Sequence, residues 1–129
     1  MFIFYSFQKY NMVELRAELN PFRMVFGKDK SVELMIKVTN DSDKARTISC
    51  EMVLSENLSF EKNGRGTSKI LRLGKMKPNE NKLHYFTIFP KQSMTRTEQP
   101  IAISVAEHYE DNYEYILKSK TKTLSLRIE

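Results

Sequence analysis

A chain of 129 residues, 40% hydrophobic and 29% charged, is long enough to bury one core and too apolar to be a disordered segment. One cysteine, Cys50, excludes an internal disulfide, and no apolar run approaches the roughly 20 residues of a membrane-spanning helix. The formal net charge of +5 leaves anionic partners open and says nothing about the fold.

Met1 to Phe7 is apolar and aromatic, but it lacks a basic lead-in, an apolar stretch of adequate length and a small-residue cleavage site. The expectation is therefore a cytoplasmic chain. Its lone thiol fits a reducing compartment, although a disulfide-free domain can also be exported. Residues 1–11 read as an N-terminal extension or an added edge strand, and residues 12–129 as the folded domain. Val13, Leu15, Ala17 and Leu19 alternate with Glu14, Arg16 and Glu18, a first strand with one apolar row. Asn20-Pro21 interrupts it, since proline has no amide donor. Phe22, Met24 and Phe26 then resume the alternation up to a turn at Gly27-Lys28-Asp29-Lys30. A strand broken this way can pair with one sheet before the break and with another after it.

Val32, Leu34, Ile36 and Val38 form the next apolar row, and Asn40-Asp41-Ser42-Asp43 the polar turn after it. Ile48, Cys50, Met52 and Leu54 follow, alternating with Thr47, Ser49, Glu51 and Val53. These two strands read as a central pair that the rest of the chain covers, with Ser49 and Glu51 solvated and tolerant of change. Cys50 lies in the apolar row, as a small buried hydrophobe does. Leu58 and Phe60 make a short apolar patch, and Asn63-Gly64-Arg65-Gly66 is a strong turn signal. A strand through Ile70, Leu71, Leu73 and Met76 leads to Lys77-Pro78-Asn79-Glu80-Asn81, a second turn with asparagine where a positive φ is needed.

In the next strand His84, Phe86 and Ile88 form one row and Leu83, Tyr85 and Phe89 the other. Such a strand is central or at an interface. Lys91 to Gln99 reads as loop. Ile101, Ile103 and Val105 form a strand, Glu110-Asp111-Asn112 a turn, and Leu124, Leu126 and Ile128 the last strand, with Tyr113 and Tyr115 preceding it. Seven to nine strands with regularly spaced turns and no helical periodicity predict an all-β, immunoglobulin-like antiparallel sandwich.

The run Leu34-Met35-Ile36-Lys37-Val38-Thr39-Asn40-Asp41-Ser42-Asp43 resembles the strand and turn of CARDB-type and related immunoglobulin-like domains of archaea and bacteria. Leu73-Gly74-Lys75-Met76-Lys77-Pro78-Asn79-Glu80 is similar to their later turn, with Asn79 in place of the usual glycine, and Phe86-Thr87-Ile88-Phe89-Pro90 to the strand after it. The resemblance spans Val13 to Glu129. It implies a non-catalytic adhesion or interaction module and carries no catalytic residue with it.

The residues themselves point the same way. Two histidines, His84 and His108, one buried cysteine and no strand–turn–helix segment offer no nucleophile elbow or phosphate loop, and no cofactor motif is present. Glu107-His108-Tyr109-Glu110-Asp111 is the one ligand-rich cluster; as a strand it places Glu107, Tyr109 and Asp111 on one face, and it reads as a solvated hairpin tip. From Lys62 to Arg96 there are nine basic residues against one acid, Glu80. Arg65, Lys69, Arg72, Lys75, Lys77 and Lys82 form a candidate basic patch, the basis of an alternative in which the chain binds nucleic acid. The leading expectation is a protein partner or a second copy of the chain. Tyr85, Phe89, Tyr109, Tyr113 and Tyr115 are the candidate interaction residues, because tyrosine joins a large apolar body to a polar tip.

Overall fold

The computed structural model describes residues 13–25, 30–91 and 97–129, so the expectations for residues 1–11, for Phe26 with the turn after it, and for most of the loop before Thr97 lie outside the described residues. Among the described residues nine strands run in order: β1 (Val13–Asn20), β2 (Arg23–Met24), β3 (Val32–Asn40), β4 (Arg46–Leu54), β5 (Leu58–Ser59), β6 (Ser68–Met76), β7 (Asn81–Pro90), β8 (Thr97–Tyr109) and β9 (Asn112–Ile128). They build a four-stranded sheet, β1-β3-β7-β5, and a five-stranded sheet, β2-β9-β8-β4-β6. All pairings are antiparallel except β2 with β9. The described residues contain no helix long and apolar enough to cross a membrane.

The break at Asn20-Pro21 does what its chemistry predicts. Before it the chain is β1 of the four-stranded sheet; after it, β2 joins the other sheet beside Arg127 and Ile128. Met24 is fully buried, but Phe22 is 69% exposed, so the alternation restarts only after the bend.

The core lies between the sheets. Its centre is the row Val32, Leu34, Ile36 and Val38 of β3, facing Ile48, Cys50 and Met52 of β4 and Ile101, Ile103 and Val105 of β8. Burying apolar side chains at roughly 25 cal/mol per Å² is the main term favouring this packing. The turn at Asn40–Asp43 therefore separates two core rows as expected, but β3 and β4 do not pair with each other. They belong to different sheets, and the turn carries the chain across the sandwich.

That crossing is held by Asn40, itself fully buried. Its side-chain amide donates to the carbonyls of Lys44 (2.8 Å) and Met76 (2.9 Å), while its Oδ1 accepts from the amide and hydroxyl of Ser42 (3.1 and 2.7 Å). The Asn40 backbone also bonds a later crossing, β6 to β7, donating to Glu80 O at 2.9 Å and accepting from Asn79 N–H at 2.7 Å. Asn79 has φ 63°, the conformation that asparagine tolerates there.

Two strands differ from expectation in extent. β8 begins at Thr97, so Thr97–Gln99 extend the ladder to β9 instead of forming loop; Pro100 fits because the pairing of β8 with β4 ends at Ile101. β9 is one strand of 17 residues that includes Tyr113 and Tyr115. Among the described residues, only Arg127 and Ile128 have β2 as a second neighbour, which leaves the rest of β9 as an edge of the described sheet. Lys118, Lys120 and Lys122 sit there opposite Glu107, Val105 and Ile103. β7 is not central either. Among the described residues, β3 pairs with Asn81 to Ile88, and β5 covers only Phe89 and Pro90 on the other side.

Candidate interaction surface

The inner row of β7 is set by Ile88, which is fully buried in the core, with Phe86 and His84 half-buried behind it. Strand periodicity then turns Leu83 and Tyr85 outward. They are 49% and 57% exposed, and the half-buried Met35 stands beside Tyr85 on β3. Together they line a shallow depression of about 410 Å³ on the outer face of the four-stranded sheet. Arg16 and Glu18 of β1 border it, 3.6 Å apart and mostly exposed, a pair worth little in its own right. Lys37 and Glu33 of β3 complete the border. Phe89 shares this parity but is half-buried where it pairs with Ser59.

The other side of the β7 edge is filled from within. Phe86 packs edge-on against Phe60 at 6.1 Å and stacks with His84 at 6.3 Å. Lys69 Nζ lies over both phenyl rings, at 5.2 and 5.5 Å. Lys82 Nζ reaches across to the carbonyl of Leu73 at 2.6 Å. Arg72, by contrast, lies over the Tyr113 ring at 4.8 Å. The six candidate basic residues thus do not form one patch. Lys69 and Lys82 close the gap between sheet edges, and Arg72 packs on Tyr113, leaving Arg65, Lys75 and Lys77 exposed without such a contact.

The three tyrosines of β8 and β9 also separate. Tyr109 and Tyr115 are exposed, with ring centroids 5.7 Å apart, beside exposed Ile116 and Leu117. Tyr113 is structural: its hydroxyl accepts the Gly74 amide at 3.0 Å, and its ring lies 5.0 Å from that of His108. Gly74 needs this partner because the β4–β6 register skips Leu73 there, and its own φ of 75° suits glycine.

The cluster expected as a solvated tip is divided: Tyr109, Glu110 and Asp111 are exposed, but Glu107 and His108 are interior. Glu107 is 3% exposed and pairs with Arg46 at 3.0 Å, and His108 is 4% exposed with Nε2 2.7 Å from Ser49 Oγ. Register shifts on either side of His108 break the alternation, so two consecutive residues are buried. Nothing in the local sequence marks those shifts. The five residues consequently do not converge, and the described residues contain no group of three His, Cys, Asp or Glu placed to hold a metal ion. Cys50 is fully buried, and burial pushes its thiol up to about 11, away from the thiolate that a nucleophile requires.

No protein-family model matches the chain, and no curated protein is similar to it in sequence. Solved structures share its architecture. The CARDB domain of the PF1109 protein from Pyrococcus furiosus, in complex with di-metal ions, superposes with a TM-score of 0.56 at 15% identity, over 92% of this chain and 90% of that one. The fold is CARDB-like and immunoglobulin-like. Native alpha-2-macroglobulin from Escherichia coli, from domain MG7 to the C-terminus, gives a TM-score of 0.65 at 15% identity over 92% of this chain. This CARDB-like sandwich spans only 17% of that macroglobulin chain. Self-complemented MyfA, the major subunit of Myf fimbriae of Yersinia enterocolitica, gives a TM-score of 0.50 at 18% identity, over 91% of this chain and 98% of its own. At such identities the likeness concerns the fold.

Proposed function

We propose that the chain is a non-catalytic interaction module that binds protein through the outer face of its four-stranded sheet and the adjoining open edge of β7. The observation that carries this reading is the exposure of Leu83 and Tyr85 on a stretch of β7 that, among the described residues, pairs with β3 on one side and with no strand on the other. Exposed apolar area next to unpaired strand backbone is what a protein partner can cover, by side-chain packing and by strand addition. Support of a coarser kind comes from a neighbour of the same fold that is the major subunit of a fimbria. The nucleic-acid alternative has less support, because three of its six basic side chains are engaged within the fold.

Photocrosslinking tests this directly. A photoactivatable side chain at the position of Tyr85 should yield a defined crosslinked protein, either another copy or a different chain. The same group at the exposed position of Thr123, on the opposite sheet, serves as control. Equal crosslinking at both positions, or none at Tyr85, overturns the reading.

A further inference from the structure

The outer face of the four-stranded sheet carries its charges in a self-complementary order. Across β1, β3 and β7 its successive rungs read Arg16–Lys37–Leu83, then Glu18–Met35–Tyr85, then Asn20–Glu33–Thr87. Consider a second copy turned by half a revolution about an axis lying along the rungs, between the first two. Arg16 of each copy then faces Glu18 of the other, Leu83 faces Tyr85, and Lys37 faces Met35 with Glu33 one rung beyond. The alternative axis, along the strands, would set Lys37 against Lys37. We propose that this face is a two-fold interface on which a second copy of the chain packs, strands antiparallel, around Met35, Leu83 and Tyr85. The proposal rests on the reading that this face binds protein, and it names the partner.

Three observations converge on a copy as the occupant. The charged residues of this face, Glu14, Arg16, Glu18, Glu33 and Lys37, sum to −1 in a chain that carries +5 overall, so two copies meet here without the repulsion expected of the basic remainder. Arg16 and Glu18 are 65% and 59% exposed at their side chains and can exchange their mutual contact for one across the interface. Met35, Leu83 and Tyr85 adjoin one another beside these charges, so two copies have an apolar area to bury as well as charges to pair. An interface of this symmetry uses the same patch on both copies and closes on itself.

The test is a charge exchange read by sedimentation. Wild type should be a dimer whose dissociation rises with salt. Arg16→Glu places two acids in contact at two symmetric positions, and Glu18→Arg two bases, so each variant alone should dimerise at least about tenfold more weakly. Mixed in equal parts, the two variants should form a heterodimer, because every contact between positions 16 and 18 is again of opposite sign. Both positions are exposed, so thermal unfolding compared on protein dilute enough for every chain to be monomeric should match wild type and exclude misfolding as the cause. Variants that dimerise as well as wild type, or a mixture that stays as dissociated as its components, overturn the proposal. So does a wild type that is monomeric up to about 1 mM. In that last case a crosslink from Tyr85 to a different protein would leave the protein-binding reading standing, whereas no crosslink would remove both.

Discussion

Asn40 donates a hydrogen bond from its buried amide to the backbone carbonyl of Met76, 2.9 Å away, and so ties the β3–β4 crossing between the sheets to the β6–β7 crossing. With its bond to Lys44 O and the two it accepts from Ser42, one side chain satisfies polar groups from two turns. Asn40→Ala leaves several of these unpaired in the interior, each at about 1–3 kcal/mol, so a loss of roughly 3 kcal/mol or more is expected by urea denaturation. Asn40→Asp should be no milder, because it removes both donors and brings a charge up to two carbonyl oxygens.

Core parity gives the second prediction. Ile36 is fully buried and Lys37 points to the outer face. Ile36→Ala should cost about 2–5 kcal/mol, the range of large-to-small core changes. Lys37→Ala, measured on dilute protein, should stay within about 0.5 kcal/mol. Ile48 and Met52 should behave like Ile36, and Glu51 like Lys37. Ser49 departs from the tolerance expected of its row: Ser49→Ala strips buried His108 of its hydroxyl partner and should cost about 1–3 kcal/mol.

Among the tyrosines, removal of single hydroxyls should separate structure from surface. Tyr113→Phe orphans the Gly74 amide and should lower stability by about 1 kcal/mol. Tyr109→Phe and Tyr115→Phe, at exposed rings, should each change it by less than about 0.5 kcal/mol. Thermal melts of the three variants side by side would show the contrast.

The Cys50 thiol supplies a pH signature. Its folded value of about 11 lies above the unfolded 9.0, so the unfolded state ionises first. The stabilisation is complete below pH 9 and is lost as pH rises from 9 towards 11, in total about 2–3 kcal/mol. Replacing Cys50 with Ala should flatten that stretch of the stability profile relative to wild type. A thiol reagent at neutral pH should label Cys50 only when the chain unfolds.

How legible the fold was depended on where one face of a strand is buried and the other is not. In β3 and β4 the alternation of Val32 to Val38 and of Ile48 to Leu54 reports that asymmetry directly, and the break at Asn20-Pro21 is a property of proline itself. Neighbours are another matter. Alternation records which face is covered, not which strand lies alongside, so β3 and β4 look like partners although they occupy different sheets. In β9, Lys118 to Thr123 is exposed on both faces and therefore carries no periodic signal, although it is regular strand. At the surface itself, Tyr85, Tyr109 and Tyr115 could be named from residue chemistry. Tyr113 could not be told apart from them, because its partner, the Gly74 amide, exists only through a register skip in a distant strand. The matching charges of Arg16 and Glu18 also needed the register of β1 on β3 before they formed a pattern.

The lysines of β9 have one more consequence. An unpaired strand of this length is where copies could add one after another without end, as in the spread of cross-β aggregates. Two such edges laid antiparallel would bring the Lys118, Lys120 and Lys122 stretches alongside each other, and like charges on paired strands repel. Contact through the other sheet, by contrast, consumes its own binding patch. Under the proposed pairing, growth by strand addition at β9 is opposed by these lysines, while the pair formed through the other sheet closes on itself.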